Sequence, residues 1–281
     1  MTTKIPWADE TWNPVTGCTK ISAGCKNCYA ERMSKRLAGR FGYPINGSIC
    51  PVCGNQYDRA KAFCPEHPNA DLVRHSSFDV TLHPDKLDQP LHWKKPRRIF
   101  VCSMSDFFHV GVPFSFQCEI LQVIGKCPQH TFMILTKRTE QLELWNYAAG
   151  WHPYPNLWLG VTVENQEQAD KRIPVLLETP AAVRFVSVEP MLGPVQIRDQ
   201  LHEQWPTNAD VHQVRDTRPP LDWVICGAET GPGARPMDLD WARDLRDQCA
   251  AAGVPFFFKR DSDGNRELDG RLWEQWPEVS Q

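Results

Sequence analysis

The chain of 281 residues carries 31 Lys and Arg against 34 Asp and Glu, a net charge of −3. That balance excludes a global basic field drawing the protein to nucleic acid and leaves open only a local basic face. No apolar run approaches the roughly 18 residues of a membrane helix, and no apolar stretch follows Lys4 as a secretory leader requires, so the sequence predicts a cytoplasmic protein without membrane contact. Eleven cysteines is an odd number, and in an intracellular chain such a count favours metal sites over disulfides.

In chain order, Asn13-Pro14 and Gly17 are turn formers that place Cys18 on a loop. Cys18, Cys25 and Cys28 then fall within eleven residues, with Ser22-Ala23-Gly24 continuing the loop. Three thiolates at this spacing wrap one face of a metal centre and leave a coordination position open. A closed zinc site uses four protein ligands and an iron–sulfur cluster normally four cysteines. Three therefore point to a [4Fe–4S] cluster whose open iron takes S-adenosylmethionine. Two plainer readings stand beside this one: cysteines packed as small apolar groups, or a zinc site completed by a distant residue. After Cys28, Met33 and Leu37 lie four apart among charges, which predicts an amphipathic helix over 29–38. Cys28 then sits near a helix N-terminus, where the dipole favours thiolates and an anionic cluster.

Residues 44–76 break the pattern. Cys50-Pro51-Val52-Cys53 and Cys64-Pro65-Glu66-His67 form a CxxC…CxxH spacing in which each pair chelates one face of a tetrahedral zinc ion. Four protein ligands close the site, so its role is structural. A platform touching nucleic acid, helped by Arg59, Lys61 and Arg74, is the functional alternative.

From residue 77 the chain alternates. Strand-like runs fall at 78–82, 99–104, 132–136, 157–163, 183–188, 223–227 and 255–259, and helix-like runs at 116–125, 139–147, 166–177 and 238–252. Trp241, Leu245 and Cys249 step by four along the last helix, and Gly253 stops it. Apolar strands alternating with helices predict an α/β fold, a parallel sheet wound as a partial or full (β/α) barrel with a small zinc-knuckle insertion. A doubly wound open sheet is the alternative. The parts are 1–43 (cluster loop and first helix), 44–76 (knuckle) and 77–281 (the rest of the barrel), forming one catalytic domain. The polar stretch 194–220 is a long connection with the character of a lid.

In a parallel barrel the chemistry sits at the C-terminal ends of the strands, and here those ends are polar. They read Ser105 and Asp106, Lys137 and Arg138, Glu164 and Asn165, Glu189, the turn from Gly227 through Glu229 to Gly233, and Lys259 and Arg260. Singly each is an ordinary solvated loop residue. Together they predict a ring around one mouth, with Ser105, Asp106, Glu164, Glu189, Gly227 and Glu229 as candidate cofactor-binding residues. The glycines of 227–233 do not match a dinucleotide fingerprint. Cys102, Cys118, Cys127, Cys226 and Cys249 lack ligand spacing and read as packing residues, with Cys102 or Cys226 able to face the mouth.

Trp12-Asn13-Pro14-Val15-Thr16-Gly17-Cys18 and Gly24-Cys25-Lys26-Asn27-Cys28-Tyr29-Ala30-Glu31 resemble a family of uncharacterised phage and prophage proteins assigned to the radical-SAM superfamily. The resemblance runs on through 100–106, 135–138, 187–190 and 227–236 and covers nearly the whole chain. It implies a (β/α) partial barrel, a [4Fe–4S] cluster on Cys18, Cys25 and Cys28, S-adenosylmethionine on the fourth position, and an external flavodoxin or ferredoxin as electron donor. It also implies a bacterial host cell and a DNA or nucleotide substrate, as in isomerising an aminoacyl-thymine during phage DNA hypermodification or in a base-lesion repair lyase. Two departures stand out: the first cysteine gap is six residues instead of three, and the superfamily's Gly-Gly-Glu strand motif is absent, Ser103-Met104-Ser105-Asp106 standing in its place. Trp151 and Trp158, with Lys137 and Arg138, are candidates to hold a flipped base, although core packing is the more ordinary role of tryptophan. The competing class is a non-enzymatic zinc-binding module that docks nucleic acid or protein. A zinc hydrolase ranks last, because the chain has no HExxH.

Overall fold

The structure, a computed structural model, describes residues 3, 5–44, 46–53, 55–57, 63–148, 154–201 and 221–278. Arg59, Lys61, Trp151 and residues 202–220 of the long connection lie outside the described residues.

Seven strands form one sheet: β1 (Glu10–Trp12), β2 (Arg98–Val101), β3 (Thr131–Thr136), β4 (Leu157–Thr162), β5 (Val183–Val188), β6 (Trp223–Cys226) and β7 (Phe256–Phe258). Every neighbouring pair is parallel and the spatial order equals the chain order. A doubly wound sheet reverses its order at a switch point; this one never reverses, so the doubly wound alternative is set aside. β1 and β7 do not pair with each other among the described residues, and the sheet is an open half-barrel. Strands β4 and β5 are buried along their whole length, as runs such as Leu157-Trp158-Leu159 demand when both faces are covered.

Helices α1 (Tyr29–Leu37), α2 (Phe114–Lys126), α3 (Thr139–Ala148), α4 (Gln166–Glu178), α5 (Arg198–Leu201) and α6 (Leu239–Ala252) fall between the strands. The Asn165 side chain caps α4 by accepting from the Gln168 N–H, Asp238 caps α6, and Gly253 ends α6 in the left-handed region. Leu245 and Cys249 of α6 are buried as their four-residue step predicts.

One strand differs from the sequence expectation. Within 78–82 only Thr81–Leu82 is extended, and it pairs antiparallel with Val15–Thr16, outside the main sheet. The first strand of the half-barrel is instead β1, inside the turn-rich N-terminal stretch. Three residues carry no apolar run to read. β1 is fixed by tertiary contacts: Trp12 is fully buried and its Nε1 donates to the Lys86 carbonyl at 2.7 Å.

The concave face is filled at its lower end by Trp7, Met133, Trp158, Phe185, Trp223, Ile225 and Phe257. Trp158 meets Trp223 edge-on at 5.9 Å, so its role is packing. Phe185 fits because its neighbour in register on β4 is Gly160, where a Cβ would lie 2.5 Å from the Phe185 ring. Replacing Gly160 with Ala forces that ring to shift in a packed core, and overpacking of this kind costs about 1–3 kcal/mol. Urea denaturation is expected to show that loss with an unchanged m-value.

Candidate functional site

The plug of aromatic side chains leaves the upper end of the half-barrel free, and the strands end there in polar residues. A cavity of about 240 Å³ opens at this end. Its wall includes Cys18, Cys25 and Cys28 on one side and Phe100, Leu135, Lys137, Glu189 and Glu229 on the strand side. All three cysteines are free thiols and half-buried. Cys28 is the N-cap residue of α1, and Ala23–Cys25 forms a single 3-10 turn.

The loop carrying the thiols is stapled to five elements. Gly17 donates to the Met104 carbonyl at 2.9 Å and accepts from Ser105 Oγ at 2.5 Å; the Cys18 N–H donates to the Phe78 carbonyl at 3.1 Å. Arg138 Nη2 donates to both the carbonyl and the hydroxyl of Thr19, at 2.9 and 2.8 Å, and lies 3.8 Å from Cys18 Sγ. Gly24 N–H donates to Glu164 Oε1 at 3.1 Å, and Arg235 Nη2 donates to the Ala23 carbonyl at 2.9 Å. Asn27 Nδ2 reaches Glu229 Oε2 at 2.8 Å and the Gly233 carbonyl at 2.7 Å. Arg32 of α1 donates to the Thr230 carbonyl at 2.7 Å, passing over Gly231, where a Cβ would sit 2.1 Å from the guanidinium. Gly231 also has φ +94°, so glycine is required there twice over.

Ser105, Asp106, Glu189 and Glu229 line the cavity, whereas Glu164 lies behind Gly24 and Gly227 lies against Glu189 and Lys259. Most of these residues serve the scaffold. Asp106 accepts from the Phe108 and Lys137 N–H groups and from the Thr136 hydroxyl, which ties the end of β3 to the segment after β2. Glu164, wholly buried, pairs with Arg172 of α4 at 2.9 Å. Glu229 is held by Arg235 and Asn27. Glu189 is bound on one oxygen by Lys259 Nζ at 2.5 Å, and its other oxygen has no hydrogen bond among the described residues. The Lys137 ammonium likewise has no hydrogen bond or ion pair among the described residues, although it lines the cavity. Lys137 and Glu189 are therefore the charged groups with capacity left for a ligand.

The electrostatics follow from these contacts. Burial pushes the Cys18 thiol up to about 11, reinforced by Asp106 and opposed by Arg138. Burial would raise Cys25 too, but Lys137 and hydrogen bonds from the Ile21–Ser22 segment outweigh it and bring this thiol down. Burial acts against the Glu164 charge, yet Ser22, Arg172, the Gly24 N–H and Lys137 hold its carboxyl below the ordinary range. Cys102 lines the cavity in the left-handed region, φ 57°, and burial keeps its thiol protonated, whereas Cys226 is buried against Met191.

Sequence reasoning missed Asn27, Arg172 and Arg235. Arg172 lies eight residues after Glu164 on the apolar face of α4, and a cation there signals a buried partner. Nothing local marks Asn27.

The second centre is the knuckle. Strands Gly47–Ile49, Gln56–Tyr57 and Val73–His75 form a small antiparallel sheet. Beside it the ligand atoms of Cys50, Cys53, Cys64 and His67 all lie within 4.8 Å of one another. Three sulfurs and one imidazole nitrogen suit a tetrahedral ion such as zinc. Among the described residues no other cysteine or histidine set is gathered so closely.

The family described as "Protein of unknown function (DUF5131)" matches residues 2–277. The chain belongs to this family. No curated protein and no solved structure matches it. No helix among the described residues is long and apolar enough to cross a membrane.

Two outcomes follow. Cys64→Ser is expected to drop bound zinc from one per chain to none, read by metal analysis, with the fold of the half-barrel retained by circular dichroism. The second concerns acid. Burial opposes the Glu229 charge, but hydrogen bonds from Arg235 and Asn27 dominate and hold the carboxyl at about 2, against an ordinary value of 4.5. A carboxyl depressed by folding stabilises the fold fully above 4.5 and loses that contribution as pH falls toward 2. Glu229→Gln is expected to lower stability at pH 7 and to flatten the pH dependence between about 4.5 and 2, measured by thermal unfolding across that window.

Proposed function

We propose that this protein is a radical S-adenosylmethionine enzyme in which Cys18, Cys25 and Cys28 hold a [4Fe–4S] cluster. The observation that carries the reading is the position of the three half-buried thiols. They sit on one preset loop, over a cavity at the C-terminal ends of a consecutively wound parallel half-barrel. The residues present fit such a group. Three thiolates with one side facing a cavity match a cluster with an open iron. A thiolate-bound cluster is anionic, and Arg138 and Lys137 stand beside Cys18 and Cys25 to offset that charge. An amino acid moiety needs a cation for its carboxylate and an anion for its ammonium, and Lys137 and Glu189 offer these on the same wall.

Such a cluster with bound S-adenosylmethionine supplies a 5′-deoxyadenosyl radical that removes a hydrogen atom from a substrate. The chain's own contribution is positional. Glu164 and Glu229, with Arg235, Arg138 and Asn27, fix the loop so that the thiols meet the cavity in one arrangement. Phe78, Phe100 and Leu135 give the cavity an apolar wall that limits water around a reactive species. The resemblance of the cysteine loop and strand-end motifs to phage and prophage proteins supports a modified nucleobase as substrate, transformed by isomerisation or bond cleavage. A flavodoxin or ferredoxin is the electron donor that this chemistry requires.

A zinc-binding docking module without catalysis is the second reading, favoured by the Cys50–His67 ligand set. Anaerobic reconstitution with iron and sulfide separates the two. The enzyme is expected to bind about four irons per chain beside one zinc. Dithionite should give a reduced-cluster EPR signal that changes on adding S-adenosylmethionine, and 5′-deoxyadenosine should be released. Cys25→Ala is expected to lose the iron and keep the zinc. Zinc alone, with no cofactor-dependent signal, would sink the radical reading.

A further inference from the structure

We infer that the loop and helix rimming the cavity form a docking surface for a single nucleic-acid strand, gripping its phosphates while one base enters the cavity. This deepens the proposed function, since it takes the nucleobase of that reading to arrive within a polymer.

The charge distribution carries the argument. Residues 18–43 hold six cations and one anion, a net charge of +5 in a protein of net −3, which leaves −8 elsewhere. Lys20 and Lys35 are exposed and share the single carboxylate, Glu31. Lys26, Arg36 and Arg40 are exposed and have no ion pair among the described residues. Near the C-terminus, by contrast, Arg243, Arg246 and Arg266 are all paired with carboxylates. Unneutralised cations crowded on one segment repel each other, and a polyanion relieves that repulsion while releasing its own counterions.

Aromatic side chains on the same segment favour nucleic acid over other polyanions. Tyr29 is 54 % exposed and lines the cavity rim, and Phe41 is 73 % exposed. Exposed rings between cations are the stacking elements of single-strand binding surfaces. A membrane is disfavoured, because the apolar residues of α1, Met33 and Leu37, pack inward against Tyr43 and Met104. A duplex is disfavoured as well, since a base reaches a walled cavity only out of its stack. A buried contact of Ser34 with Ser77 seats α1 beside the knuckle, where Arg74 is exposed.

The test is fluorescence anisotropy of a 5′-labelled 20-nucleotide single strand with the full chain carrying its metals, titrated at several salt concentrations without S-adenosylmethionine. Binding is expected to weaken with salt, with a log–log slope of about −0.7 for each phosphate neutralised. The triple variant K26A/R36A/R40A is expected to bind roughly ten-fold more weakly at low salt and to flatten the slope by about 2. Tyr29→Ala is expected to weaken binding about ten-fold with the slope unchanged. Zinc content and circular dichroism confirm that the variants fold. No salt-dependent binding up to about 100 µM, wild-type affinity in the triple variant, equal affinity for duplex, or tighter binding to phosphatidylglycerol vesicles would each overturn the inference. The two readings fail separately. Strand binding with no 5′-deoxyadenosine release removes the radical chemistry alone. Turnover on a free nucleoside without strand binding removes only the docking surface.

Discussion

An eleven-residue loop rich in small residues keeps one shape only if its backbone groups find partners outside itself. Here those partners are buried or half-buried charged groups at the ends of parallel strands. Glu164 takes the Gly24 N–H, Arg235 takes the Ala23 carbonyl, and Arg138 takes Thr19. Two of these charges are themselves balanced: Glu164 by Arg172, Arg235 by Glu229. Removing one member of such a pair leaves an uncompensated charge in a poorly solvated place, which costs far more than the pair contributes. The thiol loop, the strand ends and helix α4 are thereby one mechanical unit.

That unit depends on how the sheet is wound. Because the strands follow one another in chain order, every strand delivers its C-terminal end to the same rim. The loop can then touch the ends of β2, β3, β4 and β6 without the chain crossing itself. Below the rim, the aromatic plug around Trp158, Phe185 and Trp223 closes the half-barrel, and Gly160 makes room for it. Polar groups at the top thus stand on a floor that water does not reach, where their hydrogen bonds are stronger than in solution.

The same economy explains the cavity's chemistry. Ser105 donates its hydroxyl to the Gly17 carbonyl, and Asp106, Glu164 and Glu229 spend their oxygens on backbone N–H groups, arginines and a hydroxyl of the scaffold. Lys137 and Glu189 keep capacity for a ligand, and both line the cavity together with the thiols. The knuckle is built on a separate principle, four ligand atoms converging on one point. It joins the rest through contacts such as Ser77 with Asn46 and Ser34, next to Phe78, whose carbonyl holds Cys18.

Local chemistry made part of this readable from residues alone. The CxxC…CxxH set converges because its ligands lie close along the chain, where a short turn suffices to bring them together. Strands β3 to β7 show as apolar runs because both their faces are buried, and α6 shows through its four-residue step and its glycine stop. The three cysteines and the polar strand ends were likewise visible as types at positions. What no local pattern could decide was pairing across the fold. β1 is too short to carry a pattern and exists because Trp12 is buried against distant residues. Glu164 and Glu229 had the look of ligand-binding carboxylates, and only the folded chain puts Gly24, Arg172, Asn27 and Arg235 within hydrogen-bonding reach of them. A carboxylate's role is set by what surrounds its oxygens, and those surroundings come from residues 6 to more than 200 positions away.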